Sequence, residues 1–325
     1  MRTYLVAFLL AGVVAFILTP LVREAALRFG FVDAPSEDRK VHTKPIPRLG
    51  GLAIAFAFFV PIVGLWFLNN EVSEAYLSDM WHVAGLFFGA GATVLLGLAD
   101  DLRNLSAKVK FAAQLVIAVS VYFMGYQIGD VSLPFGFVLS LGWLSLPVTV
   151  LWIVGVMNAI NLIDGLDGLA SGVALFAVTT LFVLSLLSGN VVVGLTAASL
   201  GGALLGFLRY NFNPASIFMG DSGSLFLGFV LAVTAISGSA KSSTLVALMI
   251  PVLALGLPLF DTSLAIVRRF LGGRPLFGAD RGHIHHRLLD LGLTHRQVVL
   301  ALYGVCFFFT ALALTLVYAN SVVAA

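Results

Sequence analysis

Charge is scarce in this chain. Asp, Glu, Lys and Arg make up only 10% of its 325 residues, against about a quarter in soluble domains. With 60% hydrophobic residues, there is too little polar surface to cover a water-soluble globule, so the bilayer is the natural solvent. Cysteine is nearly absent. Cys306 stands alone in an apolar run, which excludes an intrachain disulfide and reads as a small apolar-facing residue. No internal repeat and no low-complexity linker occurs, so the chain reads as a single transmembrane domain over 1–325. No small-residue cleavage pattern follows the apolar stretch Tyr4–Leu18, which is therefore expected to stay as a first span rather than be removed. The net charge of +2 says little, because the charges are unevenly spread.

Long apolar runs are abundant. Runs near the ~20 residues needed to cross hydrocarbon recur at about 4–22, 49–68, 81–99, 109–126, 141–157, 169–188, 190–208, 222–240, 243–267 and 297–318. They predict an all-α polytopic membrane protein of about ten transmembrane helices. Gly189-Asn190 marks a tight turn between the sixth and seventh. Pro251, Gly256 and Pro258 predict a kink or break in the ninth. Gly129–Gly136 reads as a turn or small hairpin outside the spans.

Lys and Arg fix the orientation. Arg2 and Lys241 fall on one side, and the other 16 of the 18 basic residues fall on the opposite side. That side is expected to be cytosolic, with both termini outside. Of the 16 acids, all but Glu71, Glu74, Asp79 and Asp130 lie there too. The positive-inside rule explains the bases and not the acids.

The acids and amides cluster in loops whose residue types suit phosphate chemistry. In the first cytosolic loop Lys40, Lys44 and Arg48 form a cation cluster for phosphate groups. Pro45 and Pro47 stiffen it, and Gly50-Gly51 allow close backbone approach as the next span begins. The third span ends in Asp100-Asp101. Adjacent carboxylates at a membrane boundary need compensation, and at a helix C-terminus they oppose the macrodipole. A hard divalent cation relieves both, or one acid serves as a base. The segment Asn158–Gly172 carries Asn161, Asp164 and Asp167 among glycines, more polar groups than a plain turn needs. Asp221 starts the eighth span, either as a cap or as the ligand of a metal bridging phosphates received by the helix N-terminus with Ser222 and Ser224. Phe212 and Phe218 are candidates to stack on a base. The last loop holds Arg281, His283, His285, His286 and Arg287, read as phosphate contacts or proton-transfer groups in preference to a zinc site. Asp261 is read as facing the cavity, capping a helix, or pairing with Arg268 or Arg269. His82 and His295 are read as structural or solvated.

The segments KVHTKPIPRLGG, GLADD, NAINLIDGLDGLASG, FNPASIFMGDSGS and DRGHIHHRLLDLG, in that order and across all five cytosolic loops, resemble the polyprenyl-phosphate N-acetylhexosamine-1-phosphate transferases. The resemblance implies transfer of N-acetylglucosamine-1-phosphate from UDP-GlcNAc, or a related UDP-HexNAc, to undecaprenyl phosphate, releasing UMP. It implies an active site in the cytosolic loops of a bacterial cytoplasmic (inner) membrane protein. It assigns Asp221, with Asp100, to Mg²⁺ (or Mn²⁺), and Asp100 or Asp101 to deprotonation of the lipid phosphate. A two-step route with an aspartate nucleophile stays open. By the same carry-over Asp167, Asn211 and Phe218 meet uracil, Asp164 lies near the diphosphate or sugar, and His283, His285 and His286 meet the diphosphate. The branch that transfers phospho-MurNAc-pentapeptide usually has three consecutive histidines followed by an acid. Here Ile284 interrupts them and Arg287 follows, which favours UDP-GlcNAc. A homodimer is implied by the resemblance alone, and no nucleic acid is expected. The alternatives are the pentapeptide transferase and a secondary transporter of a phosphorylated solute.

Overall fold

The computed structural model describes residues 1–33, 45–129, 131–132, 138–239, 252–273 and 283–324. Lys40, Lys44 and Arg281 lie outside them. The chain is nearly all helix. The long elements are α1 (Arg2–Arg28), α2 (Gly50–Gly64), α4 (Met80–Arg103), α5 (Ala107–Phe123), α6 (Ser145–Ile163), α7 (Leu169–Ser188), α8 (Val191–Asn211), α9 (Asp221–Ser239), α10 (Gly256–Leu271) and α12 (His295–Ala324). Two short helices, α3 (Glu71–Leu77) and α11 (Ile284–Asp290), lie between them.

Among the described residues eight helices are long and apolar enough to cross a membrane: Arg2–Arg28, Gly50–Phe67, Met80–Arg103, Gly142–Ile163, Leu169–Ser188, Val191–Asn211, Asp221–Gly238 and His295–Val317. The chain is an integral membrane protein. The expected fourth span is α5, only 17 residues long. The expected ninth falls partly outside the described residues, and its described part breaks at Leu255 before α10 begins. The segment after α5 forms a hairpin, with Val131–Ser132 antiparallel to Val138–Leu139.

Small residues hold the bundle together. In lipid, helices associate by close packing rather than by escape from water. Along α1 the stripe Ala7, Ala11, Ala15 is buried and meets α8, where a Cβ on Gly202 would strike the Phe8 carbonyl and one on Gly206 the Gly12 carbonyl. The most buried helix is α9: Phe226, Leu227, Phe229 and Val230 are fully covered, and the helix packs on α2, α4, α6 and α7. Its start meets the start of α2. A Cβ on Gly51 would lie 2.1 Å from Gly223 N, and the Gly50 and Gly51 amides donate to the carbonyls of Phe218 and Met219. The close approach expected of the glycine pair is thus made against another helix.

Three helix ends differ from expectation. α4 runs on to Arg103, so Asp100 and Asp101 lie inside its last turn. α6 runs to Ile163, so Asn158 and Asn161 are helical rather than loop residues. α8 runs to Asn211. These ends, with the starts of α5, α7 and α9, meet at one end of the bundle.

Candidate active site

The first residues of α9 are the centre of the site. The Asp221 N–H donates to Asp101 Oδ1 at 2.9 Å and the Ser222 N–H to Asp101 Oδ2 at 3.0 Å. Asp101 is 7% exposed. Its carboxylate thus caps α9 from α4, across 120 residues of sequence. A negative charge that opposes its own helix's dipole is stabilised by the positive end of another. Gly220 makes room for it. Its φ is +72°, and a Cβ there would lie 2.7 Å from an Asp101 oxygen. The α9 amides expected to receive phosphate are therefore already taken by a carboxylate. Asp221 is not its own helix's cap but the first helical residue.

The neighbouring acid faces elsewhere. Asp100 Oδ1 accepts the Leu105 N–H at 2.6 Å, and Oδ2 accepts from Lys110 Nζ at 2.8 Å. The same ammonium donates to Asp221 Oδ2 at 2.7 Å, while Asn161 Nδ2 donates to Asp221 Oδ1 at 3.0 Å and to Ser224 Oγ at 2.8 Å. Four helices thus contribute Asp100, Lys110, Asn161 and Asp221 to one knot. Sequence reading counted Lys110 only as an orientation signal. Its signal was a cation one turn inside an apolar helix, which needs a partner.

Asp164 ends α6 and makes no side-chain hydrogen bond among the described residues. Burial first, then the charges of Asp221, Asp101 and Asp167, hold its carboxyl well above the usual range. Among the described residues Asp100, Asp101 and Asp221 face one bonded cation, Lys110, so three carboxylates less one ammonium leave a surplus of negative charge. No three His, Cys, Asp or Glu side chains are preassembled as a metal cage among the described residues. Asp100 and Asp221 do share a stand-in cation, the ammonium. A pair of carboxylates completed by water and substrate phosphates is how Mg²⁺ is commonly held, so the donor set fits that ion.

The expected uracil contacts are largely engaged inside the protein. Asn211 is buried; it accepts from Ser171 Oγ at 2.7 Å and donates to the Ile217 carbonyl at 3.1 Å. Asp167 Oδ2 accepts from Asn213 Nδ2 and the Ala215 N–H, both at 2.9 Å. These bonds shape the 211–220 loop. Phe218 bridges to Arg48 through the backbone, and its N–H donates to the Pro47 carbonyl. Arg48 lies 3.8 Å from Asp33, and its buried Nε has no partner among the described residues, a donor left over for an anion. Phe212 carries the Arg296 guanidinium 5.6 Å from its ring centre. His295 accepts the Asp167 N–H at 2.9 Å, and His82 joins Asp79 to the Gly125 carbonyl.

In the last loop His283 and His285 are buried, His286 is half-buried and Arg287 is exposed. Asp261 pairs with neither Arg268 nor Arg269 in the described bonds. It holds His283 and the Ile284 N–H, a role for which the sequence offers an apolar-helix acid and nothing more.

A membrane bundle whose acids, amides and one lysine converge at a single end is the layout of an enzyme acting on an anion at the membrane surface. Residues 83–239 match the profile of glycosyl transferase family 4. The chain is 43% identical over 312 residues to a probable undecaprenyl-phosphate N-acetylglucosaminyl 1-phosphate transferase of Bacillus subtilis, covering 96% of this chain and 84% of that one. It is 37% identical over 323 residues to the decaprenyl-phosphate N-acetylglucosaminephosphotransferase of Mycobacterium tuberculosis, covering 91% and 78%. It is 31% identical over 322 residues to the phospho-N-acetylmuramoyl-pentapeptide-transferase of Listeria monocytogenes, covering 93% of each. The chain belongs to glycosyl transferase family 4, among the polyprenyl-phosphate N-acetylhexosamine phosphate transferases, and is a phosphosugar transferase.

Proposed function

We propose that the protein transfers N-acetylglucosamine-1-phosphate, or a related HexNAc-1-phosphate, from its UDP derivative to undecaprenyl phosphate, at the cytosolic face of a bacterial cytoplasmic membrane. Ten spans with both termini outside put the cation-rich and acid-rich loops on that face. The observation that carries the reading is the convergence of Asp100, Lys110, Asn161 and Asp221 from four helices at the start of α9.

An oxygen of the lipid phosphate attacks the phosphorus that carries the sugar. A new P–O bond forms, the P–O bond to the uridine phosphate breaks, and UMP leaves with the electron pair. Both reactants are anions, so positioning and charge neutralisation are the main requirements. Asp221 and Asp100 would hold Mg²⁺, which when bound neutralises the diphosphate and the leaving phosphate. Of the adjacent pair, Asp100 would also take the proton of the lipid phosphate: its Oδ2 is held by a side-chain ammonium that a bound cation can replace, whereas both Asp101 oxygens are held by backbone amides of α9. Lys110 and Arg48 supply cations for phosphate oxygens, joined by Lys40, Lys44, Arg281 and Arg287. Asp164 lies near the diphosphate or sugar. Asp167, through its remaining oxygen, and the Phe218 ring border the uracil. The Asn211 bonds support it through loop shape.

The test is a radiochemical transfer with purified protein, undecaprenyl phosphate, Mg²⁺ and labelled UDP-GlcNAc. Label entering the organic phase, and lost on adding EDTA, is the expected result. Label entering only from UDP-MurNAc-pentapeptide would keep the chemistry and overturn the donor, the reading favoured by the Listeria relative. No transfer from any UDP-HexNAc by folded protein would overturn the proposal.

A further inference from the structure

Asp261 is a buried acid that the proposed chemistry leaves unused. It sits in α10 and is 3% exposed. Its Oδ2 lies 2.9 Å from His283 Nδ1, and its Oδ1 accepts the Ile284 N–H at 2.9 Å. One carboxylate therefore fixes both the imidazole and the first amide of α11. With Nδ1 held as the donor, Nε2 is the ring nitrogen left for a ligand. It makes no hydrogen bond among the described residues.

The other two histidines are placed differently. The His285 ring lies parallel to that of His283, 5.8 Å away and within 5°. Its Nε2 is buried without a partner among the described residues, pressed onto the loop after α6 where a Cβ on Gly165 would lie 2.8 Å from it. Burial, then His286 and His283, pushes its imidazole down to about 4, so it stays neutral near pH 7. The His286 ring packs on His285 at 4.3 Å. His283 is bonded to a carboxylate, whereas His285 packs by its ring.

We propose that Asp261 is a positioning residue that holds His283 through Nδ1, so that His283 presents Nε2 to the diphosphate of the sugar nucleotide while His285 packs the ring in place. The proposal rests on the reaction proposed above. Between a carboxylate on one side and a phosphate on the other, the imidazole carries a proton on each nitrogen. It then makes charge-assisted bonds to both anions. Without the carboxylate the ring has no fixed tautomer.

Asp261→Asn is the informative change. Its oxygen still accepts the Ile284 N–H, while its NH₂ faces His283 Nδ1 and turns that nitrogen into an acceptor. The fold persists and the tautomer inverts, as when the carboxylate partner of a hydrolase histidine becomes an amide. The experiment uses full-length protein with ¹⁵N-labelled histidine, the His283 signals being assigned by their loss in His283→Asn. In wild type, Nδ1 of His283 should carry a proton with or without UDP-GlcNAc, and Nε2 should carry one once UDP-GlcNAc is bound. In Asp261→Asn, Nε2 alone should be protonated in both states. Transfer kcat/KM should fall on the order of 10²-fold at an unchanged melting temperature. Asp261→Glu should recover part of it. The double variant with His283→Asn should be no worse than His283→Asn alone. A wild-type His283 with no proton on Nδ1 before ligand is added overturns the pairing, whatever the reaction. Wild-type kcat/KM in Asp261→Asn overturns the positioning role. A wild type that shows the expected tautomer yet transfers no sugar phosphate overturns the reaction and leaves the pairing standing.

Discussion

Asp101→Asn separates a cap from a base. In wild type, two backbone N–H groups of α9 each find one Asp101 oxygen. Asparagine keeps one acceptor and turns its NH₂ toward the second amide, leaving a buried donor unpaired. That costs about 1–3 kcal/mol. Losing the charge at the helix N-terminus adds about 0.3–1 kcal/mol, up to about 2 where partly buried. Relief from burying a carboxylate that is 7% exposed offsets part of this, so the net loss is about 1–3 kcal/mol. The loss falls on the turn that carries Asp221. A shift of about 1 Å there lowers turnover on the order of 10²-fold. Asp101→Ala loses both acceptors and should be worse in melting temperature, in the Mg²⁺ concentration for half activity, and in kcat. Fluorescence melts in detergent, Mg²⁺ titrations and transfer rates on the three proteins give the order wild type, Asn, Ala in every readout. If Asp101 were instead the base, Asn and Ala would be equally inactive while melts and Mg²⁺ titrations matched wild type. That pattern would refute the capping argument.

Lys110→Met removes the cation shared by Asp100 and Asp221. The melting temperature in EDTA should fall by several degrees, and Mg²⁺ should restore most of it; a variant with the wild-type melting temperature in EDTA would show the ion pairs to be idle. Asp164 has its carboxyl raised in the folded protein, so it binds a proton more tightly there than in the unfolded chain. Its contribution to stability is full below the ordinary carboxylate range near pH 4 and is lost as pH rises through the folded value. The melting temperature of Asp164→Asn minus that of wild type should therefore grow from pH 4 to pH 7 in EDTA and shrink with Mg²⁺; a flat difference would sink the argument. Gly51→Ala puts a Cβ 2.1 Å from Gly223 N, so α2 and α9 must part, and a loss of about 1–3 kcal/mol or more should appear as a lower melting temperature with reduced transfer.

Much of the fold was legible in the sequence, because hydrocarbon allows few alternatives to an apolar helix of span length. The turn at Gly189-Asn190, the hairpin near Gly129–Gly136 and the break before α10 were legible from turn and breaker residues. The helix ends were not. Polar residues at the ends of apolar runs read as loop, and so Asn158 and Asn161 were placed outside the helix that contains them. Inside helices their backbone groups are satisfied by the helix, and only their side chains remain for the site.

Which acid does what was legible only as alternatives, because the deciding contacts are distant in sequence. Asp101 and Asp221 are 120 residues apart, Lys110 and Asp221 are 111 apart, and Asp261 and His283 are 22 apart across residues outside the description. The excess of acids in these loops pointed to chemistry, yet several of the acids are engaged in holding the fold. Asp101 offsets an unfavourable place on α4 by capping α9, Asp167 holds the 213–215 turn, and Asp261 holds an imidazole. An acid at a helix C-terminus destabilises that helix alone and stabilises a pair of helices when the partner's N-terminus meets it. A site built where helix ends meet therefore draws its rigidity from carboxylates of the kind that would hold a divalent cation for its substrates. This is why Asp221 can be held to one position on an apolar helix without a cap of its own.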